Sequence, residues 1–151
     1  MIYENLKLDH QLCFPAYAAS RLIIREYQPY LDKLEITYTQ YLVLMILWER
    51  DDVPVNDIAK RLFLNTNTIT PLLKRMEQQK LIKRKRSSHD ERSVSVRLTK
   101  EGSKLKHKAS GIPEKLYKRF EGSGISTKNL SKMKRNLESI ISFLCSDDLN
   151  I

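Results

Sequence analysis

Thirteen of the chain's 27 Lys and Arg residues fall between Lys74 and Lys108, in a stretch with four acids. Those 35 residues carry the whole formal charge of +9, and the rest of the sequence balances at 14 bases and 14 acids. Charge confined to one segment points to contacts with a polyanion, whereas a uniformly basic surface would serve solubility or membrane adhesion. Thr66, Asn67, Thr68 and Thr70 lie just ahead of it. Such short side chains donate and accept hydrogen bonds to base edges, and Lys74 and Arg75 stand one helical turn later for phosphates. Arg84 and Arg86 belong to the most basic run, Lys83 to Arg86, and Arg92 follows it.

The second group able to do chemistry is a thiol. Cys13 lies on an apolar helical pattern, where a cysteine ordinarily serves as a small hydrophobe. It becomes a redox centre when it is accessible and its thiolate is stabilised. Tyr27 and Tyr38 are hydroxyl donors with apolar neighbours that suit that task. Cys145 reads as structural, and two cysteines argue against a disulfide framework. His10, His89 and His107 have no i, i+4 partner among histidines or cysteines, so no metal site and no cofactor is expected.

The elements that must hold these groups follow from periodicity. At 151 residues the chain is long enough for one domain with its own core. The longest apolar run, Tyr41 to Trp48, is far too short to span a membrane, and the N-terminus lacks an apolar signal core. A soluble, cytoplasmic protein is expected. Residues 6 to 30 read as a helix that Pro15 kinks or starts and Pro29 ends. Thr37 and Gln40 have capping-box spacing ahead of a second helix to about Glu49. Asp51 to Pro54 reads as a turn, Val55 to Leu62 as a short helix, and Leu64 to Asn67 as a tight polar turn. The next helix runs to Gln79 with Ile69, Leu72, Leu73 and Met76 as its buried stripe, and Pro71 is tolerable there only near the helix start.

After Leu81 the period changes to two. Ile82 to Arg86 and Val94 to Leu98 predict an antiparallel hairpin with its tip at Ser87 to Glu91. Thr99 caps a long helix from Lys100 to Phe120, which Pro113 bends. Ser126 caps a final helix with a nearly heptad-spaced stripe of Leu130, Met133, Leu137, Ile140, Ile141 and Leu144, a pattern that serves either an ordinary core or packing against another helix, including one from a second protomer. Two helices joined tightly and followed by a basic hairpin predict a mainly helical, winged helix-turn-helix fold. The domain plan is a single domain, residues 1–151. Residues 37–99 are its expected DNA-binding region, between flanking helical segments at 6–36 and 100–146.

Asn65-Thr-Asn-Thr-Ile-Thr-Pro-Leu-Leu-Lys-Arg-Met-Glu77 resembles the recognition helix of the multiple-antibiotic-resistance regulator (MarR) family. Asp90-Glu-Arg-Ser-Val-Ser-Val-Arg-Leu-Thr-Lys-Glu-Gly102 resembles its wing. Leu8-Asp-His-Gln-Leu-Cys-Phe14 and Ile36-Thr-Tyr-Thr-Gln-Tyr-Leu-Val-Leu44 are similar to one branch, the organic hydroperoxide resistance repressors and their one-cysteine relatives. The resemblance implies a homodimer, held by dimerisation helices in residues 6–36 and 100–146, on a pseudopalindromic operator, usually a repressor. It further implies that Cys13 is the sensor and that Tyr27 and Tyr38 of the other protomer bond its sulfur. Organic hydroperoxide and a low-molecular-weight thiol would be the signals, Arg92 would enter the minor groove, and Asp90 would brace the wing. Asn65 and Asn67 stand where the branch has Asp and Gly, and Thr39 where proline is common. No cysteine occupies the resolving position of the two-cysteine members.

Three functions from different classes follow. The leading one is a thiol-switched, dimeric transcriptional regulator. The alternative is a regulator of the same fold released by a small aromatic ligand in the dimer crevice, with Cys13 incidental. The third, a thiol peroxidase, needs a resolving thiol and an activating base or Arg beside Cys13, and neither is evident in the sequence.

Overall fold

Residues 3–86 and 94–147 are described by a computed structural model of the chain. The hairpin tip, with His89, Asp90 and Arg92, lies outside them. Two single turns of 3-10 helix, Glu4–Leu6 and Leu8–His10, precede α1, Cys13–Leu31. The helix thus begins later than its apolar pattern. Pro15 explains this, because it is tolerated in the first turn, where amides have no intrahelical acceptor. Pro29 does not end α1, which continues to Leu31 and tightens into a 3-10 turn, Asp32–Leu34, closed by Glu35 at φ 56°.

α2 spans Tyr38–Glu49 behind the predicted capping box. The Gln40 amide N–H donates to Thr37 Oγ1 (3.3 Å), and the Thr37 N–H donates to Gln40 Oε1 (2.9 Å). Val53–Pro54, read from sequence as part of a turn, is instead a short strand, β1. It pairs with β3 at the sheet edge, where a proline removes no ladder bond that the sheet needs. α3 is Val55–Arg61 and α4 is Thr66–Gln78. The turn between them runs from Leu62 to Asn65, two residues earlier than expected, because Phe63 takes the left-handed conformation (φ 54°).

β2 (Ile82–Arg86) and β3 (Val94–Leu98) pair antiparallel in the register Ile82↔Leu98, Arg84↔Val96, Arg86↔Val94, and the sheet order is β1-β3-β2. The predicted strands and their partners are correct. Leu44, Leu47, Ile58, Ile69, Leu73, Met76, Ile82 and Val96 are almost wholly buried and form the core beneath the helix-turn-helix. Each such side chain stabilises the fold by about 1.5–3 kcal/mol.

The single helix expected over Lys100 to Phe120 is two: α5, Lys100–Ala109, and α6, Ile112–Glu121, broken at Ser110-Gly111. Pro113 lies in the first turn of α6, so it starts a helix where it was expected to bend one. α7 is Thr127–Asp147, and Ser126 Oγ accepts the Asn129 N–H (3.3 Å). The chain comprises two compact units, Met1–Ser110 and Gly111–Ile151. The architecture is the predicted one, mainly helical with a small antiparallel sheet. Among the described residues no helix is long and apolar enough to cross a membrane.

Candidate nucleic-acid interface and thiol site

α4 is amphipathic at helical spacing. Ile69, Leu73 and Met76 are buried, whereas Thr66, Asn67, Thr68, Thr70, Lys74 and Arg75 are exposed. Asn65 caps it, and its Oδ1 accepts both the Thr68 amide N–H and the Thr68 hydroxyl, each at 3.0 Å. Thr68 is therefore tied into the cap, while among the described residues no such bond occupies Thr66 or Thr70. Pro71 is the sixth helical residue, deeper than the orphan amides that sequence reasoning had it replace. The carbonyl that loses its donor belongs to Asn67, an exposed residue, where water can satisfy it.

The wing presents its charge unequally. Ile82 points into the core, so the two-residue period puts Arg84 and Arg86 on its side and Lys83 and Lys85 on the opposite face. Lys83, Lys85 and Arg86 are exposed, and Arg84 is half-buried. Its Nε and Nη2 donate to Glu77 Oε2 (3.0 and 2.7 Å), and its backbone N–H donates to Glu77 Oε1 (3.0 Å). That backbone N–H first, and then the guanidinium, hold the Glu77 carboxyl below the usual carboxylate range. Lys83 and Lys85 belong to the basic run read from sequence but not to its candidate contact residues, although the alternation that starts at Ile82 is the signal for them. Asp90 and Arg92 lie outside the described residues.

The root of the wing is fixed from both sides. Thr99 caps α5 by accepting the Gly102 N–H (3.1 Å), and its hydroxyl donates to the carbonyl of Lys80 (2.5 Å). A Cβ on Gly102 would lie 2.1 Å from the Leu81 carbonyl oxygen, so only glycine permits this approach. The Gly102 carbonyl accepts Trp48 Nε1–H (3.0 Å), and Lys106 Nζ donates to the Trp48 carbonyl (2.9 Å). On β3, Arg97 Nη2 donates to Asp52 Oδ2 (2.5 Å) and holds that carboxyl far below its usual range.

Cys13 is exposed at the first residue of α1. Tyr27 and Tyr38 meet edge-to-face with ring centroids 5.0 Å apart, and Tyr41 lies 5.9 Å from Tyr27. Burial pushes the Tyr38 phenol up, and likewise Tyr41, where proximity to Tyr38 adds to it. Cys13 and Tyr27 are fourteen residues apart on the same helix, or about 21 Å along its axis. The structure thus brings the tyrosines together and keeps Cys13 of the same chain away from Tyr27. Cys145, expected to be structural, is exposed on α7 and fills no core position.

The first turn of α2, which carries Tyr38, is bonded to the far end of α4. Gln40, two residues after Tyr38 and buried, donates from Nε2 to Gln79 Oε1 (2.7 Å), and Gln79 Nε2 donates to the Glu35 carbonyl (3.2 Å). Gln79 is the C-cap of α4. A buried amide with its bonds satisfied holds its neighbours in one geometry, because an alternative leaves it unpaired.

A family model for the transcriptional regulators SarA/Rot matches residues 25–109. The organic hydroperoxide resistance transcriptional regulator of Bacillus subtilis is 49% identical over 128 residues, which cover 85% of this chain and 87% of that protein. Reduced AbfR bound to DNA is a similar solved structure, at 35% identity and a TM-score of 0.74, covering 93% of this chain and 96% of that one. Overoxidized AbfR bound to DNA matches at 35% identity and a TM-score of 0.71, covering 93% of this chain and 97% of that one. AbfR is a protein of Staphylococcus epidermidis.

Proposed function

This chain belongs to the MarR-type winged helix transcriptional regulators, in the SarA/Rot family and beside the organic hydroperoxide resistance regulators, and on that premise we propose that it is a homodimeric repressor released from its operator by oxidation of Cys13. It is a DNA-binding transcriptional regulator and not an enzyme, which removes the thiol-peroxidase reading. The observation that carries the sensor reading is an exposed thiol at the start of α1 together with a tyrosine pair that it cannot reach within its own chain. A second copy completes the site, and Tyr27 and Tyr38 of one protomer receive Cys13 of the other. The exposed apolar residues of the N-terminal segment and of α7 favour the same second copy, since Leu12 is 89% exposed and Phe143 65%. Residues 6–36 and 100–146 then hold the dimer, and residues 37–99 hold a pseudopalindromic operator in the cytoplasm.

In this reading a hydroperoxide transfers its terminal oxygen to the Cys13 sulfur, giving a sulfenic acid and leaving an alcohol. A small thiol then condenses with the sulfenic acid, forming a mixed disulfide and water. Either product displaces the sulfur from the tyrosine hydroxyls. Movement of Tyr38 reaches α4 through the Gln40–Gln79 bond. Because the duplex dictates the spacing of two half-sites, a shift of a few ångströms between the two α4 helices is enough for release. Thr66, Asn67, Thr70, Lys74, Arg75, Arg86 and Arg92 are the proposed DNA-contacting residues. Thr68 serves their helix cap, and Asp90 is the proposed brace of the wing.

Fluorescence anisotropy on the gene's own upstream duplex tests this. Organic hydroperoxide with a small thiol should release the wild type, dithiothreitol should restore it, and Cys13→Ser should stay bound throughout. If wild type and variant both stay bound, the sensor role fails, and release by a phenolic compound would favour a ligand in the dimer crevice.

A further inference from the structure

Glu77 is a carboxylate embedded in the most basic part of the chain, and both of its oxygens are taken by Arg84. It lies in the last turn of α4 and takes three hydrogen bonds from one residue of β2. Two of the three come from the Arg84 guanidinium, and the third from the Arg84 backbone, so both the side chain and the strand are held. Exposed ion pairs restrain little, because water and salt screen them. This one is part-buried, with two guanidinium nitrogens converging on Oε2 and the backbone N–H on Oε1, so it restricts orientation as well as distance.

Between its two ends lies the turn that joins α4 to the wing. Lys80 takes φ 60° there, and the turn is closed by the bonds Lys80 N–H to the Glu77 carbonyl (2.9 Å) and Leu81 N–H to the Met76 carbonyl (3.0 Å). These bonds, with the Thr99 hydroxyl on the Lys80 carbonyl, fix the root at the pivot, where they act with a short arm against a swing of the strand. The Glu77–Arg84 pair lies further out and resists it with a longer arm. From Leu81 to Arg86 the strand extends about 17 Å, so a swing of about 10° at the turn displaces Arg86 by about 3 Å. That exceeds the tolerance of a hydrogen bond to a base edge or phosphate.

We infer that Glu77, acting through Arg84, is a positioning residue for DNA recognition that holds the wing at the angle to α4 which a specific site requires. Arg84 is accordingly a strut and not a phosphate ligand, in contrast to the role its charge suggested in the sequence. The inference rests on the reading that α4 and the wing contact the duplex together.

The salt dependence of binding separates a strut from a phosphate ligand. Each phosphate neutralised contributes about 0.9 to the log–log slope of affinity against salt. The duplexes would be a site selected by the wild type from a randomised pool and a scrambled duplex of the same length, titrated at several KCl concentrations. Arg84→Gln should weaken the selected site about tenfold, leave the scrambled duplex unchanged and leave the salt slope unchanged. Lys74→Gln is the comparator and should lower the slope by about 0.9 for each protomer bound. If Arg84→Gln fails to fold by circular dichroism, Glu77→Gln carries the test, since it frees Arg84 without removing it. The strut predicts weaker and less specific binding for Glu77→Gln, whereas a phosphate ligand predicts tighter binding. A slope loss in Arg84→Gln equal to that in Lys74→Gln overturns the inference, as does undiminished preference for the selected site. If the wild type binds neither duplex, it is the underlying DNA-contact reading that has failed.

Discussion

α4 and α7 are both amphipathic, but their apolar faces have different fates. Ile69, Leu73 and Met76 of α4 are at most 1% exposed, whereas Met133, Leu137, Ile140, Ile141 and Leu144 of α7 are all 43% exposed or more. The first helix finds its partner inside the chain, in the core shared with α2, α3 and the sheet. The second carries an equally regular stripe that the chain leaves in water. A hydrophobic stripe left open is stable in a soluble protein when another molecule covers it. In the proposed reading the helix-turn-helix is complete in one chain, whereas what regulates it is completed by a second copy. Cys13 repeats the lesson on a smaller scale, because its proposed tyrosine partners lie beyond its reach along α1.

The comparison breaks most visibly under matched substitutions in the two stripes. Leu137→Glu on α7 should yield a monomer by sedimentation velocity and weaken operator binding at least about 100-fold, as one half-site is lost. Helix content should survive, since no core is touched. Leu73→Ala on α4 should instead cost about 2–5 kcal/mol of stability, read by urea titration, with a midpoint shift that persists at high protein concentration. A Leu137→Glu protein that remains dimeric would remove the contrast.

A smaller effect sharpens the same division on the DNA side. Arg92→Ala should weaken operator binding about tenfold, the loss of one good groove contact, without altering sedimentation or thermal stability. Unchanged affinity would refute the wing assignment. The smallest effect concerns the pair that ties β3 to the Asp52 turn. The Asp52 carboxyl is held below its usual range by Arg97, so its contribution to stability is present above the ordinary carboxylate value near pH 4 and is lost as pH falls through the folded value. Asp52 also takes φ 62°, which asparagine tolerates. Melts of Asp52→Asn and wild type should differ by about 2 °C at pH 7 and converge below about pH 4. A difference independent of pH would contradict that account.

Much of the fold was legible because its signals are periodic. The change from 3.6 to 2 after Leu81 placed both long strands, and the Thr37–Gln40 and Ser126 caps placed two helix starts. What escaped was short or dependent on context. β1 is two residues long and offers no period to read, and its pairing with β3 is a tertiary event. The break at Ser110-Gly111 escaped because Pro113 was taken as a kink, although proline is also a favoured first-turn residue. At the candidate site, charge and residue type pointed to Arg84, but only the fold shows that Glu77 holds it. Thr68 was chosen with its neighbours, yet the Asn65 cap engages its hydroxyl. The tyrosine pair was legible as two hydroxyl donors, whereas their meeting at 5.0 Å depends on α1 packing beside α2.

The most direct test of a site shared between two copies is a mixed dimer. One protomer would carry Cys13→Ser and the other Tyr27→Phe with Tyr38→Phe, purified as the heterodimer by two affinity tags. Neither homodimer has an intact site, but the heterodimer has one if Cys13 of the second protomer meets the tyrosines of the first. Operator release by organic hydroperoxide and a small thiol should therefore be absent in both homodimers and restored in the heterodimer. A heterodimer as unresponsive as its parents would contradict the shared site.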